Sequence, residues 1–473
     1  MMRNRRIYLL SPEDLSPETI AVTFAKTSRS PKPFDEIASE LTDDRSAQFH
    51  EKWVVGYGHA SVAEHAVLHL ALENVSRLAI ETIEGNRLAS YTEKSSRYQQ
   101  WDRDAFYVPE ELQDDSLKEA FIDTCKHLFQ TYHESIPVVE SWLKNSRPHM
   151  EEESENAYQR RIHGEAIDNC RFLLPAASLA NVGVTINARA LEYAICKMLS
   201  SPLKEVQDIG EKLREVGQKE APTLVKYAAC NQYLVDSQKK MSEYAQGLSA
   251  SPSGEGVQLI DWDRNDEKRV LAAILYRFGG ECDFQTYFEY IQSLSQDNLK
   301  NLALDVMSGR GKFDQPLREF EYAQMTFDLV MDQGAYFEFK RHRMMTQTTQ
   351  PLSPMLGFAV PRAVTEAGCE AEYTAAMRKA ARVYEQITEL NKDVASYIIP
   401  NGFNRRVLCT MNLREFYNFS RLRSAENAHF SIRRISQRMA EIVEEIYPIL
   451  GHYLDRPKDE TWRNIEDDYF SKV

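Results

Sequence analysis

Leu174-Pro175 leads to Asn187-Ala188-Arg189, and later in the chain Ile399-Pro400 leads to Asn412-Leu413-Arg414. The interval from the proline to the asparagine is identical in the two copies. Two copies so far apart in the chain indicate duplicated domains, because solenoid repeats recur every 20–50 residues, roughly. The pattern therefore predicts two related domains in one chain.

A second pattern also occurs twice, and each copy has lost a different part of it. In the first copy Glu64 precedes Arg87, and Ser95-Ser96-Arg97 follows. In the second copy Glu321 precedes a complete Arg341-His342-Arg343 by about the same interval. Unequal loss predicts one composite site built from two unlike halves.

Length and composition are typical of a globular protein. The chain has 473 residues, of which 43% are hydrophobic and 27% charged. No stretch approaches the ~18 consecutive apolar residues of a membrane span, and no signal peptide is evident. The 7 cysteines are scattered without a CxxC pair, which argues against a disulfide scaffold and against a zinc site. We expect a reduced, cytoplasmic protein with no metal site.

The net charge of −14 excludes a general nucleic-acid binder, because an acidic chain repels polyanions. Basic clusters that persist in such a chain are therefore informative. They are Lys340 to Arg343, Arg405-Arg406, and Arg414 with Arg421, Arg423, Arg433 and Arg434. Each could be a solvated basic face, but a histidine lodged between two arginines is costly unless an anion lies nearby.

A Gly-, Ser- and Pro-rich stretch divides the chain. It predicts a linker over residues 246–262, between an N-terminal domain (1–245) and a C-terminal domain (263–473). Long periodic segments predict helices at 41–58, 113–146 and 370–396, and a strand from Gln324 to Met331. Residues 91–100 and 347–354 are predicted to be polar loops. The fold class is α+β, with a mixed or antiparallel sheet packed against long helices in each domain.

Both halves resemble the flavin-dependent thymidylate synthases. The signature of that family is Arg-His-Arg, then seven residues later Ser, with Arg two residues beyond. The first half has Gly85-Asn86-Arg87 followed by Ser95-Ser96-Arg97, and its Gly58–His65 segment is similar to the family's His-x-x-x-x-Glu-His. The second half has Arg341-His342-Arg343 and the Asn-x-Arg segment that begins at Asn412. The resemblance covers most of both halves except residues 230–265.

The resemblance implies a chemistry and an assembly. Family members bind FAD, reduce it with NADPH and convert dUMP to dTMP with methylenetetrahydrofolate, without a protein nucleophile. They are homotetramers with active sites between subunits. A chain with two such domains implies a homodimer equivalent to that tetramer. The protein's part is to orient the flavin and the nucleotide and to supply positive charge.

The resemblance also assigns residues. The substrate-binding set is Glu93, Ser95, Ser96, Arg97, Arg406 and Arg423, of which Arg423 is also assigned a catalytic role. The flavin-binding set is His65, Arg87, Asn187, Arg189, Arg341, His342, Arg343, Asn412, Arg414 and Asn418. The first half has Asn181 and Met198 where the second has Arg406 and Arg423. In the family the loop and the arginines of one site come from different subunits, so the two halves would supply complementary parts.

One position departs from the family. A glutamine that faces the nucleotide in the family is replaced by Glu338, and by Thr82 in the first half. A carboxylate beside a phosphate is repelled by about 1 kcal/mol in water, and by more where water is excluded. Either a neighbouring arginine neutralises Glu338, or the ligand is not dUMP. The alternatives are a flavoprotein for another pyrimidine nucleotide and a non-catalytic binding or assembly protein.

Overall fold

The structure, a computed structural model, describes residues 6–41, 46, 48–49, 60–245, 247–248, 256–311 and 313–473. The chain forms two compact units that interleave along the sequence. Unit 1 takes its residues from Met1–Lys94, Ala105–Asp115 and Ala177–Ser249. Unit 2 takes its residues from Ser95–Asp104, Ser116–Ala176 and Ala250–Val473. The helix predicted for 41–58 and the Gly58-His59 pair lie almost entirely outside the described residues.

The described residues contain long helices and short strands. The helices are α1 (Pro17–Thr27), α2 (Phe34–Ser39), α3 (Arg77–Glu84), α4 (Asp115–Ser146), α5 (Glu155–Cys170), α6 (Ala188–Leu199), α7 (Lys204–Glu220), α8 (Gln232–Ala245), α9 (Asp266–Gly279), α10 (Phe284–Ser293), α11 (Gln296–Met307), α12 (Gln333–Phe339), α13 (Arg362–Glu366), α14 (Glu370–Thr388), α15 (Lys392–Ala395), α16 (Leu413–Arg423), α17 (Phe430–Ile446) and α18 (Trp462–Tyr469). The strands are β1 (Val67–Ser76), β2 (Ala89–Glu93), β3 (Leu179–Asn187), β4 (Val257–Trp262), β5 (Gln324–Asp332), β6 (Thr346–Thr349), β7 (Val360–Pro361), β8 (Asn404–Asn412) and β9 (Phe470–Lys472).

Each unit contains an antiparallel sheet with the same strand order. In unit 1 the order is β1-β3-β2, and in unit 2 it is β4-β5-β8-β6, so that β4 is an additional edge strand. A further pair, β7 with β9, lies in unit 2. Antiparallel sheets packed against helices confirm the α+β class.

The two sheets match residue by residue at several positions. Val67 lies opposite Asn187 in unit 1, and Gln324 lies opposite Asn412 in unit 2. The helix that follows the central strand begins in the same way in both units, because the asparagine side chain caps it. Asn187 accepts from the Ala190 N–H at 2.9 Å, and Asn412 accepts from the Glu415 N–H at 2.8 Å. The repeated Asn-x-Arg pattern therefore marks a strand-to-helix junction.

The hydrophobic core of unit 2 lies between its sheet and its helices. Alternate residues of the central strands point into it, including Phe327, Leu329, Val407 and Cys409, all at most 1% exposed. Side chains on a strand alternate between its two faces, so the residues between them point the other way. This alternation decides the position of Arg406, as described below.

The structure corrects several predictions for local segments. The polar loops predicted at 91–100 and 347–354 overlap the ends of β2 and β6. These edge strands pair on one side only and can carry Ser and Thr toward solvent. The long helix predicted for 370–396 ends at Thr388, and Asn391 caps a new helix. The strand from Gln324 to Met331 and the helix over 113–146 are confirmed within two residues. Within the predicted linker, Val257–Trp262 forms β4 and residues 249–255 lie outside the described residues.

Candidate functional site

Arg97, in the loop after β2, belongs to unit 2 and is held by a carboxylate of the same unit. Its Nε lies 3.1 Å from both carboxylate oxygens of Asp168, and its Nη2 lies 2.9 Å from Oδ2. Its Nη1 donates to the Asn427 carbonyl at 3.1 Å. Several charge-assisted bonds to one carboxylate fix the direction of a planar guanidinium. Arg97 is therefore oriented before any ligand binds.

Three guanidiniums surround the carboxylate of Glu338, which lies in α12 and is buried. Arg423 Nη1 donates to Oε2 at 3.1 Å. Arg97 Nη1 and Arg171 Nη2 lie 3.9 Å and 3.8 Å from Oε1. We call Arg97, Arg171, Arg423, Asp168 and Glu338 the arginine cluster. The neutralisation of Glu338 by an arginine, one of the two alternatives above, is therefore present in unit 2.

Arg171 is fully enclosed at the base of the cluster. Its Nη1 lies 3.4 Å from Ser96 Oγ, and its Nη2 lies 3.5 Å from the Gly334 carbonyl. A Cβ at position 334 would lie 2.9 Å from Oδ1 of Asp332, so that side chain would have to shift, but it would meet Arg171 Nη2 at an ordinary contact distance of 3.7 Å. Arg97, from the first copy of the repeat, thus shares the cluster with Glu338 and Arg423 from the second, and Ser96 contacts the cluster through Arg171.

His342 connects Arg423 to a second carboxylate. Arg423 Nε donates to His342 Nε2 at 3.0 Å, so Nδ1 carries the proton and donates to Glu415 at 3.2 Å. Burial lowers the pKa of His342, against the opposing effect of Glu415, which favours this neutral form. Arg423 is therefore fixed on two sides, by Glu338 and by His342.

His429 joins the cluster from the start of α17. Its Nε2 donates to the Asp168 carbonyl at 3.2 Å, and its Nδ1 accepts from the Ser431 N–H at 3.2 Å. Burial, and then the charges of Arg171 and Arg97, lower the pKa of His429 well below its ordinary value. A neutral His429 adds no positive charge to the three guanidiniums.

Burial and charge pairing act in opposite directions across the arginine cluster. Burial lowers the pKa of Arg171 and of Arg423, although the neighbouring carboxylates oppose this effect. At Arg97 burial is outweighed by Asp168, and the pKa is raised. Burial raises the pKa of Asp168 despite its arginine neighbours. The raised pKa of Arg97 favours the ionised pair, whereas the raised pKa of Asp168 disfavours it. The multiple hydrogen bonds between them favour the ionised pair.

Two predicted nucleotide residues lie outside the cluster. Arg406 shares a strand face with exposed Leu408 and donates to Asp328 at 2.8 Å. Among the described residues it makes no hydrogen bond or ion pair with Glu338 or Arg423. Glu93, in unit 1, is buried in an ion pair with Arg77 at 3.1 Å.

The predicted flavin residues of unit 2 fall into two groups. Asn412 caps α16, Asn418 accepts from Arg421 at 3.3 Å, and Arg414 pairs with Glu321 at 3.0 Å. The Arg341 guanidinium is exposed, and Arg343 is partly exposed. Together with His342, these residues occupy α16 and the turn after α12.

The predicted flavin residues of unit 1 mirror part of that arrangement. Arg189 pairs with Glu64, as Arg414 pairs with Glu321. Asn187 caps α6, and His65 and Arg87 are exposed. The conserved geometry of the Arg–Glu pair supports a common origin of the two copies.

Comparison with known proteins identifies the family. A family model described as "Thymidylate synthase complementing protein" matches residues 10–223 and again 258–449. The chain belongs to this family. Two successive matches confirm the tandem arrangement that the repeats predict.

Relatives of this chain in the thymidylate synthase complementing family include proteins that match most of it and proteins that match less than half of it. A "UPF0159 protein" of Chlamydia muridarum is 31% identical over 433 residues, covering 88% of this chain and 82% of its own. A "UPF0159 protein" of Thermoplasma acidophilum is 28% identical and covers 87% of this chain and 89% of its own. A "Flavin-dependent thymidylate synthase" of Clostridium tetani is 26% identical over 215 residues, covering 45% of this chain and 82% of its own. The described residues contain no helix long and apolar enough to span a membrane.

Sequence reasoning missed Asp168, Arg171 and His429. Arg171 precedes Pro175 by the same interval at which Ser396 precedes Pro400. It is thus a further position where one copy has an arginine and the other does not, and that difference was the available signal. His429 lies in no repeated pattern, so only the fold brings it to Asp168.

The lowered pKa of His429 predicts how stability depends on pH. A histidine whose pKa is lower in the folded than in the unfolded state takes up its proton more readily on unfolding. Stability should therefore rise with pH up to about 6.5, with a slope of at most about 1.4 kcal/mol per pH unit for each such group. His429→Asn retains an oxygen that can cap the helix. It removes one titrating group, so the slope should fall by up to about 1.4 kcal/mol per pH unit. Urea unfolding between roughly pH 5 and 6.5 tests it, and an unchanged slope would show that His429 titrates normally.

Proposed function

We propose that this protein is a flavin-dependent thymidylate synthase-like enzyme. It would methylate dUMP to dTMP with methylenetetrahydrofolate and NAD(P)H, and bind the phosphate of the nucleotide at the arginine cluster. The observation that carries the proposal is the convergence of Arg97 and Arg423 on Glu338. The first of these residues comes from the loop retained by one repeat, and the second from the arginine retained by the other.

The cluster has the properties of a phosphate site. Arginines bind phosphate through paired N–H groups, and a partly buried setting strengthens that attraction. Arg97 and Arg423 keep 20% and 15% of their side-chain surface exposed, whereas Arg171 keeps 2%. Arg97 and Arg423 would therefore contact the ligand, with Ser95 and Ser96 beside them, and Arg171 would support them from below. Arg423 would also be the catalytic residue, as positive charge next to the reacting nucleotide.

Removing either contact arginine tests the nucleotide site. Arg97→Ala and Arg423→Ala should each weaken dUMP binding by about 100-fold or more, because a hydrogen bond to a charged group contributes about 1.5–3 kcal/mol and each residue makes more than one. Isothermal titration measures the affinity, and circular dichroism checks folding. Normal dUMP binding by folded Arg97→Ala protein would contradict the proposal.

Three further variants sharpen that test. Arg382→Ala removes an exposed arginine of α14 and should leave dUMP binding unchanged. Arg406→Ala should weaken binding less than Arg423→Ala does, because Arg406 pairs with Asp328 away from Glu338. Met198→Arg, which restores the missing arginine of the first repeat, should rescue little, because Met198 is buried in the core of unit 1.

The residues present allow FAD binding in part. The exposed guanidinium of Arg341 makes no hydrogen bond or ion pair with the described residues, and it suits a pyrophosphate. Arg343 lies in the turn after α12 and Asn418 in α16, which are joined by the hydrogen bond from His342 to Glu415, whereas Arg414 would have to exchange Glu321 for the cofactor. Bound flavin would supply the hydride chemistry that side chains lack. We propose His342 and Asn412 as further contacts of this flavin position in unit 2. For the matching flavin position of unit 1 we propose His65, Arg87, Asn187 and Arg189.

An absorption spectrum of the purified protein, before and after addition of FAD, tests the cofactor. We expect a flavin band near ~450 nm that shifts when dUMP is added. Arg341→Ala should weaken FAD binding without affecting secondary structure. Protein that stays colourless and binds no added FAD would contradict the enzyme proposal and favour a non-catalytic binding or assembly role.

Glu338 favours a second candidate, a flavoprotein acting on another pyrimidine nucleotide. Its carboxylate occupies a position where the family has an uncharged glutamine, so substrate choice can differ. Titrations with dUMP, UMP and dCMP separate the candidates, because the nucleotide that binds most tightly identifies the substrate.

For the assembly we propose a homodimer, and light scattering should then give twice the 54.6 kDa mass of the chain.

A further inference from the structure

Glu338 presents one satisfied and one unsatisfied oxygen to the arginine cluster. Oε2 accepts a hydrogen bond from Arg423 at 3.1 Å. Oε1 is buried and has no hydrogen-bond partner among the described residues, and the guanidinium nitrogens of Arg171 and Arg97 lie 3.8 Å and 3.9 Å away. Those distances allow attraction but exceed hydrogen-bond length. A buried acceptor of this kind is costly unless a donor reaches it.

The charges around Glu338 come from several elements. The loop after β2 contributes Arg97, α5 contributes Asp168, the turn that follows it contributes Arg171, and α16 contributes Arg423. Three guanidiniums thus face two carboxylates. The neighbouring Lys340 of the same segment lies over the Phe337 ring at 5.1 Å.

The outer neighbours add little further positive charge. Burial lowers the pKa of His342 and that of His429, so both rings are neutral near pH 7. Asp332, beside Arg171, is fully buried and bonded to Ser431. Arg341 is exposed. The three guanidiniums and two carboxylates of the arginine cluster therefore sum to one positive charge. Arg341, which acts on Arg423, and Glu415, which pairs with His342, add one charge of each sign.

A fully ionised phosphate monoester does not match these surroundings. It has two negative charges and no hydrogen to donate, so Glu338 Oε1 would repel it and stay unsatisfied. A phosphate oxygen bearing a proton would instead donate to Oε1 while its other oxygens accept from the arginines. An O–H···O⁻ bond of this type is short and strong.

We propose that Glu338 makes this site specific for phosphate monoesters held by one proton shared between a phosphate oxygen and the Glu338 carboxylate. The proposal rests on the proposed nucleotide site and specifies the form of ligand that it takes. Sulfate esters and phosphodiesters have a similar shape but lack this proton, and the site excludes them. No covalent bond changes, and the proton comes from solvent.

The shared proton has a measurable consequence. The second pKa of a phosphate monoester is about 6, so above pH 7 the free ligand is mostly the dianion. Binding to the wild-type protein then takes up about one proton. Titration of dUMP at pH ~7.5 in buffers of different ionisation enthalpy counts that proton. Glu338→Gln, which restores an uncharged amide, should bind dUMP with proton uptake near zero and accept the methyl phosphodiester of dUMP at least about tenfold more tightly than wild type does.

Wild-type protein provides a test that needs no variant. Inorganic phosphate should raise the thermal midpoint, and sulfate at the same concentration and ionic strength should not. Binding of dUMP without proton uptake, or equal protection by sulfate and phosphate, would overturn the role of Glu338. If dUMP fails to bind while phosphate protects and sulfate does not, the proposed nucleotide is wrong and the role of Glu338 stands. If neither anion protects and dUMP does not bind, both proposals fail.

Discussion

A guanidinium removed from water needs a nearby anion, and in unit 2 three of them share the carboxylate of Glu338. Removing one partner of a buried ion pair typically costs about 3–5 kcal/mol, because it leaves an uncompensated charge. Neighbouring groups hold these guanidiniums in place: Asp168 accepts hydrogen bonds from Arg97, His342 accepts one from Arg423, and the Gly334 carbonyl accepts one from Arg171. An oriented set of three cations that already contains two carboxylates would favour ligands of particular charge and protonation, as we propose above.

The duplication explains how such a site could arise within one chain. Two equivalent copies can lose different parts without losing function, provided that each part survives once. The first copy retains Ser96, Arg97 and Arg171, and the second retains His342 and Arg423. Both copies keep the asparagine cap and the Arg–Glu pair at the strand-to-helix junction, Arg189 with Glu64 and Arg414 with Glu321. When two copies specialise, we expect both to keep the residues that build the fold and each to keep only some of the site residues.

Much of this could be predicted from spacing, and the exceptions have physical reasons. Repeat spacing predicted two related halves, and the mixture of strands and long helices predicted the α+β class. The family resemblance singled out Arg97 and Arg423, because both belong to intact motif fragments. It did not predict β3 and β8, whose apolar alternation is interrupted by Gly183 and by Arg405-Arg406. Matching by interval could not place Arg406, since adjacent residues on a strand face opposite ways. Asp168 and His429 are far apart in sequence, so only folding joins them.

The central claim is that Arg97 and Arg423 of the same chain form one nucleotide site. It is tested by coexpressing Arg97→Ala and Arg423→Ala chains with different tags and isolating the mixed assemblies. If each site is built within one chain, every chain lacks one essential arginine and the mixed assemblies bind no dUMP. Wild-type chains mixed with chains carrying both substitutions should retain sites in proportion to their wild-type content. Recovery of dUMP binding in the first mixture would mean that the arginines act between chains, and would contradict the account.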